Sequence, residues 1–246
     1  MIQETNTITT GQEMGSVLDA EIQTMMKSGV HYGHRTSRTH PKMKSLIMGV
    51  KNNIEIIDLE VTRTQLERAM QFLKSLPQEA QILFVGTLPA AQSVVRETAT
   101  ALGAPFVIER WLGGLITNFK MISGRIKHLL DLKKKRAAGE FEKYTKKEQQ
   151  NIAEEIARSE RVLGSLECLT HLPDALVVVG VPQHKTAIHE AQLRHIPVIA
   201  IVDTDADPTG IDFPIAANDN ARSSVAFIVE RLAEALRTRP HGEKGA

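Results

Sequence analysis

Residues 82–89, ILFVGTLP, decide the fold class of this chain. The first four residues predict a strand buried on both faces, and the turn at Gly86 leads into a helix with Pro89 near its start. Two further stretches, ALVVV at 175–179 and VIAIV at 198–202, have the same unbroken apolar character. Short apolar strands separated by helices predict an α/β fold: a doubly wound, mostly parallel sheet with right-handed crossovers.

Three weaker patterns extend this architecture. Residues 106–108 and 213–217 predict two more strands, the second at an edge of the sheet because Pro214 cannot donate to a strand ladder. Residues 46–50 and 54–59, on either side of Lys51-Asn52-Asn53, predict a β-hairpin.

An insertion separates the second sheet strand from the third. Thr117 or Asn118 is expected to cap a first helix, and Thr145 with Glu148 forms the capping-box pattern at the start of a second. A basic, glycine-containing turn joins the two helices, so the pattern predicts an inserted αα-hairpin resembling a short coiled coil. We expect its base to pack on the sheet, with Trp111 as an anchor, and its tip to project.

The chain is thus predicted to hold one α/β domain with one insertion. Cys168 is the only cysteine, which excludes an internal disulfide and is typical of a reducing compartment, and no apolar run is long enough to cross a bilayer. We therefore expect a soluble cytoplasmic protein with no membrane partner and no obligate homo-oligomer. The predicted parts are a flexible extension at 1–16, the α/β domain at 17–116 and 165–238, the hairpin at 117–164 and a flexible tail at 239–246.

Charge is distributed unevenly along the sequence. The 30 Lys and Arg nearly balance the 29 Asp and Glu, giving a net charge of +1. Residues 27–51 hold 6 Lys and Arg and no acidic residue, and residues 110–147 hold 11 against 3 acidic residues. The remainder therefore carries 13 basic and 26 acidic residues. Two basic segments on an acidic body indicate binding to a polyanion by particular faces, although solvated helix faces would give a similar pattern.

The chemistry of both segments suits RNA. Tyr32 and the neighbouring imidazoles can stack on unpaired bases, and Gly33 permits close approach of the backbone, although Tyr32 would equally suit a core. Lys and Arg side chains pair with phosphates, Arg in bidentate fashion. The predicted RNA-binding residues are His31, Tyr32, His34, Arg35, Arg38, Lys42, Lys44, Arg110, Lys120, Arg125, Lys133, Lys134, Lys135 and Arg136.

Other chemistries find weaker support. No phosphate-cradle or dinucleotide motif is present, so a nucleotide- or sugar-phosphate-binding enzyme would depend on the turn at Gly86 or Gly180 and on the loop at Asp203. A protein-interaction module that docks through the hairpin is a further alternative. The prediction is no cofactor and no metal, because the DPTG turn at 207–210 explains the nearby acidic residues. The weaker alternative is a divalent ion held by His184, His189, Asp203, Asp205 and Asp207.

Several motifs in order resemble the bacterial small-subunit ribosomal protein S-two family. They span residues 29–221 and read GVHYGHRTSRTHPKM (29–43), IEIIDLEVT (54–62), ILFVGT (82–87), ERWLGGLITNF (109–119), LPDALVVVG (172–180), IPVIAIVDTDADPTGID (196–212) and AANDNA (216–221). The resemblance implies a non-enzymatic protein with a doubly wound domain and an inserted hairpin. It further implies binding to small-subunit ribosomal RNA near the junction of head and body, late joining during assembly, and support for ribosomal protein S-one.

The sequence matches the family pattern at most motif positions and departs from it at three. His40 stands where Asn is usual, Gly180 where an acidic residue is common, and Ala217 where Gly is common. The departure at Gly180 weakens a metal site there and leaves the basic segments untouched. The matching positions are His31, Gly33, His34, Pro41, Lys42, Met43, Arg110, Trp111, Gly113, Gly114, Thr117, Asn118, Phe119, Asp203, Thr204, Asp207, Pro208, Asp212 and Asn218.

Overall fold

The computed structural model describes residues 20–239 of the chain. The predicted extension at 1–16, and the predicted tail apart from residue 239, lie outside this range. In chain order the elements are α1 (20–27), β1 (Tyr32–Arg35), β2 (Ile47–Lys51), β3 (Ile54–Ile57), α2 (Leu59–Ser75), β4 (Ile82–Val85), α3 (Pro89–Leu102), β5 (Phe106–Val107), α4 (Phe119–Ala137), α5 (Lys146–Leu163), β6 (Ala175–Val179), α6 (Lys185–Leu193), β7 (Val198–Val202), β8 (Phe213–Ala216) and α7 (Arg222–Arg237).

The main sheet is parallel throughout, with strand order β5-β4-β6-β7-β8. This confirms the predicted α/β class and the edge position of β8. The next strand in the chain, β5, pairs with one edge of β4. The strand after that, β6, pairs with the other edge of β4. The strand order therefore reverses between β4 and β6, which is the place where ligands bind in many open α/β sheets. Within residues 20–239, none of the helices combines the length and the apolar character that crossing a membrane requires.

Alternate residues of the central strands belong to two separate apolar clusters, one on each face of the sheet. Ile82 and Phe84 point into a cluster with buried residues of α2, α3 and α7, whereas Leu83 and Val85 point into a cluster with buried residues of α4, α5 and α6. All four residues of β4 are at most 2% exposed. Period-two alternation with both faces apolar is what an all-parallel sheet covered on both sides requires.

The two inserted helices pack through apolar side chains into the second cluster. Ile126 of α4 and Ile156 of α5 are both buried there. The capping box of Thr145 and Glu148 is confirmed at the start of α5. The predicted side-chain cap of α4 is wrong, because Asn118 makes no capping hydrogen bond and the Thr117 hydroxyl bonds elsewhere. The projection of the tip between these helices stays a prediction.

A second, three-stranded antiparallel sheet of order β1-β3-β2 lies beside the main one. The predicted hairpin is confirmed, and Asn52 and Asn53 at its turn both have positive φ. No pattern in the sequence predicts a strand in the basic stretch after α1. This stretch contains β1 and two short 3-10 turns, at Thr36–Arg38 and Pro41–Leu46. The backbone N–H of His40 donates to the carbonyl of Thr204, at 2.8 Å, and so ties this region to the end of β7.

Candidate nucleic-acid interface

The first basic segment presents most of its cations to solvent. Arg35, Arg38 and Lys44 are exposed, and none of them forms an ion pair within the part of the chain that the structure describes. Lys42 is also exposed, but its ammonium group lies 3.2 Å from a carboxylate oxygen of Asp207. The short turn that carries Lys42 begins at His40, whose Nδ1 accepts a hydrogen bond from the backbone of Lys42. His40 thus performs the capping role for which Asn is the more common residue.

The two aromatic neighbours of this segment differ in their surroundings. Tyr32 is 46% exposed, so it is not a core residue and part of its side chain is accessible to a partner. The His31 ring packs against it with centroids 4.0 Å apart. Burial lowers the pKa of His31, and the charge of Lys51 adds to this effect, which favours the neutral imidazole. The pair forms a half-exposed aromatic surface beside the free cations.

His34 points inward, into a group of carboxylates. Its Nδ1 lies 3.2 Å from Asp203 and its Nε2 lies 3.7 Å from Asp205, and Asp219 is buried close by. The hydrogen bond to Asp203, followed by the charges of the three carboxylates, raises the pKa of His34 to about 9 against the opposing effect of burial. Burial and the charges of Asp203 and Asp205 raise the pKa of Asp219 to about 7. His34 is therefore a partly buried counterion of these carboxylates, which is a structural role and not an RNA contact.

These two shifts predict that the stability contributed by His34 and Asp219 falls as the pH rises. A pKa that is higher in the folded chain contributes stability below its unfolded value and loses it as the pH passes the folded value. For His34 the loss extends from pH 6.5 to about 9, and for Asp219 it extends from pH 3.8 to about 7. After allowance for solvent screening, we expect His34 to account for about 1–2 kcal/mol, or about 3–6 °C of thermal midpoint. Calorimetry between pH 6 and pH 9.5 measures this difference.

The variant His34→Gln isolates the contribution of the imidazole. It should be less stable than the wild type at pH 6 and nearly as stable at pH 9.5, because the wild-type imidazolium has then lost its proton. The control His128→Gln changes a side chain that is 64% exposed, so its curve should follow the wild type. Parallel curves for the wild type and His34→Gln would contradict the assignment.

The second basic segment has one group of cations around the start of α4 and another near the end of α4. Arg110 follows β5, Lys120 and Arg125 lie on the first turns of α4, and all three are exposed. Towards the end of the same helix, Lys134, Lys135 and Arg136 are exposed as well. Lys133 differs, because its ammonium group lies 2.7 Å from both Glu160 and Glu167. Of the eleven Lys and Arg predicted to bind RNA, only Lys42 and Lys133 are paired with an acidic residue within residues 20–239.

The loop between β5 and α4 is held by a residue that the sequence analysis missed. Glu190 of α6 is 5% exposed, and its carboxylate accepts five hydrogen bonds from this loop. Its partners include the indole of Trp111, which is half-buried against the second apolar cluster. A signal was present, because Glu190 lies on the helix face that also carries the buried Ala187 and Ala191. A lone acidic residue on an apolar face implies a buried partner.

His189, Asp205 and Asp207 line one cavity, but the five residues of the weaker metal alternative do not form a metal-binding group. His184 is 1% exposed, bonds through Nδ1 to the carbonyl of Gly180 at 2.7 Å, and accepts from the backbone of Thr87 through Nε2 at 3.4 Å. Asp203 pairs with His34, whereas Asp207 accepts from Lys42. Within residues 20–239, no group of three or more His, Cys, Asp or Glu side chains is arranged to hold a metal ion.

The turns proposed for a nucleotide lie where the strand order reverses, beside a cavity of about 390 Å³. Both turns are closely packed. A Cβ at Gly86 would come within 2.9 Å of Val95, and one at Gly180 would come within 2.5 Å of Leu88. Pro89 has no N–H to offer at the start of α3, and His184 already takes the N–H of Thr87. At the Gly86 turn, two of the donors that would hold a phosphate are therefore used or missing.

Comparison with known protein families identifies the family to which this chain belongs. The family model described as Ribosomal protein S2 matches residues 25–238. The chain belongs to this family. It is similar to the proteins named "Small ribosomal subunit protein uS2" from three strains of Dehalococcoides mccartyi. The identity is 40% for one strain and 39% for the other two, over 216 residues that cover 87% of this chain and 88% of each relative.

Membership in the S2 family settles the class of protein. Ribosomal S2 proteins are structural components of the ribosome and not enzymes, so the chain is a ribosomal protein of the cytoplasm without catalytic function. This agrees with the packed turns at Gly86 and Gly180, and the nucleotide-binding enzyme is not retained. The resemblance of the sequence motifs to this family is confirmed.

Proposed function

We propose that the chain assembles into the small ribosomal subunit by binding small-subunit ribosomal RNA through its two basic segments. The contacts we assign are His31, Tyr32, Arg35, Arg38, Lys44, Arg110, Lys120, Arg125, Lys134, Lys135 and Arg136, with His34, Lys42 and Lys133 in supporting positions. The location we propose is the junction of head and body, which the family resemblance implies.

One observation carries this proposal. Of the Lys and Arg side chains assigned to the interface, nine are exposed and have no acidic partner within the described range, although acidic residues are twice as frequent as basic ones outside the two segments. Outside the segments, four of the twelve described Lys and Arg are paired with an acidic side chain, against two of the seventeen inside them. Cations that are clustered without acidic partners repel one another, which is a cost that a polyanion removes.

The chemistry of such an interface favours shape over sequence. Lys and Arg that neutralise phosphates release condensed counterions, which supplies affinity and makes it depend on salt. The deep, narrow major groove of an RNA helix hides its base edges, so base contacts concentrate on unpaired nucleotides. Tyr32, 46% exposed, and the adjacent imidazole of His31 are placed to stack on such nucleotides beside the cations.

We further propose that the chain supports docking of ribosomal protein S-one. The family resemblance implies this role, and an exposed apolar patch gives it a physical basis. Met26, Met48 and Val50 are between 52% and 74% exposed. An exposed apolar patch is typical of a protein–protein contact. Small subunits reconstituted without this chain should retain less S-one than subunits reconstituted with it, and equal retention would contradict the proposal.

The main proposal is tested by co-sedimentation of the purified chain with small subunits that lack this protein. If half of the nine free cations contact phosphate, the logarithm of the association constant should fall with the logarithm of salt concentration with a slope of about −4 or steeper. Large subunits serve as the control and should bind more weakly at every salt concentration. The proposal fails if the chain does not sediment with small subunits at low salt, or if the slope is near zero.

A further inference from the structure

The loop 111–117 folds around an internal anion. Oε1 of Glu190 accepts from the Trp111 indole N–H at 3.0 Å and from the backbone N–H of Gly114 at 2.9 Å. Oε2 accepts from the backbone N–H groups of Ile116 and Thr117 and from the Thr117 hydroxyl, each at 3.1 Å. A carboxylate offers about four lone-pair positions, so Glu190 is fully occupied by this one loop.

The charge on Glu190 is stabilised by the loop. Burial by itself would raise the pKa of the carboxyl, but the hydrogen bonds from Trp111 and from the backbone of the loop outweigh burial and lower the pKa. Hydrogen bonds to an ionised acceptor are shorter and stronger than neutral ones. A second tie comes from one turn further along, where Arg194 donates to the carbonyl of Thr117 at 2.8 Å.

The loop would not keep this conformation unaided. Gly114 has φ +86°, in the left-handed region that favours glycine. The backbone N–H groups of Gly114, Ile116 and Thr117 converge on the carboxylate of Glu190. Holding the loop in this conformation costs conformational entropy, so the loop would not keep it without that carboxylate. Arg110 immediately precedes the loop, and α4, with Lys120 and Arg125, begins directly after it.

We propose that Glu190 is a positioning residue for RNA binding: it fixes the loop 111–117 and thereby the direction in which Arg110, Lys120 and Arg125 face the RNA. This rests on the RNA-binding role proposed above. Glu190 itself touches no RNA, since it is 5% exposed and its acceptor positions are taken. The carboxylate acts through the three cations that flank the loop.

The variant Glu190→Gln tests this role. Glutamine keeps the size of the side chain but offers one acceptor oxygen and turns an NH2 group towards N–H donors. We expect affinity for small subunits lacking this protein to fall about ten-fold, and the salt slope to become shallower by about 1–2, since two or three cations lose their register with phosphates. Amide hydrogen exchange at Gly114, Ile116 and Thr117 should accelerate, which reports the released loop directly.

A combined variant separates positioning from simple loss of stability. In the Glu190→Gln background, replacing Arg110, Lys120 and Arg125 by alanine should cause a clearly smaller loss of affinity than the same replacement causes in the wild type. A merely structural role would lower the melting temperature of Glu190→Gln while leaving the salt slope of the folded protein unchanged. That result overturns the inference, as does an additive effect of the two sets of changes.

A milder variant keeps the test valid if Glu190→Gln does not fold. Thr117→Val removes only the hydroxyl donor to Oε2 and preserves the branched shape of the side chain. We expect it to weaken binding two- to three-fold, with faster exchange at Thr117, and an unchanged affinity and exchange rate would count against the inference. Failure of the wild type itself to bind small subunits would instead reject the proposed function.

Discussion

Replacing Arg35, Arg38, Lys42 and Lys44 together by alanine is expected to weaken association with small ribosomal subunits by about two orders of magnitude at physiological salt. Arg35, Arg38 and Lys44 are exposed without an acidic partner in residues 20–239, whereas Lys42 is partly neutralised by Asp207. The salt slope should therefore become shallower by about 2–3, which corresponds to three effective phosphate contacts and not four. Co-sedimentation across a salt series measures both quantities.

The fold should survive these four changes. All four side chains are exposed, and surface substitutions of this kind usually alter stability by about 0.5 kcal/mol or less each. Far-ultraviolet circular dichroism and thermal denaturation should show a cooperative transition close to that of the wild type. The expected loss of binding is then a loss of contacts and not of folded protein.

A second set of four cations provides the matched control. Arg68 and Lys74 of α2, Arg96 of α3 and Arg237 of α7 are also exposed, and their replacement by alanine changes the net charge by the same amount. Because these helices belong to the acidic remainder of the chain, this variant should bind nearly as well as the wild type. Equal losses in the two variants would show that only net charge matters, and would contradict a localised interface.

The sequence predicted the main sheet well, because its signals are short-range. Four-residue apolar runs such as Ile82–Val85 need no distant partner to be recognised as buried strands, and Pro214 alone placed β8 at an edge. The capping box at Thr145 is equally local, since its two residues are three positions apart. Family resemblance and local physics agree on these elements.

Strand β1 was missed because its causes lie far away in the chain. The sequence Tyr32-Gly33-His34-Arg35 has no apolar alternation that would predict a strand. Its pairing depends on β3, some twenty residues later, and on the hydrogen bond that the backbone of His34 donates to the hydroxyl of Thr204 at 2.9 Å. Only the assembled fold brings these partners together.

The sequence predicted which residue types form the candidate interface, but not the ion pairs and hydrogen bonds that hold them in place. Exposure of Arg35 and Arg38 follows from their residue type, whereas the pairing of Lys133 with Glu160 and Glu167 depends on how α4 and α5 meet. The role of Asp203 was likewise hidden, since the sequence shows an acidic turn and the structure shows a partner for His34. Buried polar residues, not surface cations, are where local reasoning failed.

Gly33→Ala is expected to destabilise the folded chain by about 2–3 kcal/mol, lowering the thermal midpoint by about 5–10 °C. A Cβ at this position would lie 2.5 Å from Cγ2 and 2.8 Å from Oγ1 of Thr204, and 3.3 Å from the carbonyl oxygen of Glu55. Thr204 is fully buried, so it has little room to move aside. Either β1 is displaced from the end of β7, or Thr204 rotates and loses the hydrogen bond from His34.

Binding should fall with stability in this variant, because β1 carries the aromatic and cationic residues of the first segment. We expect weaker co-sedimentation even at temperatures where Gly33→Ala is fully folded, as measured by circular dichroism on the same sample. A variant with a lowered midpoint but wild-type affinity would show that the position of β1 is irrelevant to RNA binding.

Two companion variants decide whether the contact with Thr204 is the cause. Gly49→Ala lies in β2 of the same small sheet, where a Cβ meets nothing within 4 Å, so it should be neutral or slightly stabilising. Thr204→Ser removes Cγ2, the nearest clashing atom, and keeps the hydroxyl that bonds to His34. Combined with Gly33→Ala, it should recover about 1 kcal/mol of the loss, and strict additivity of the two changes in a double-mutant cycle would place the origin of the strain elsewhere.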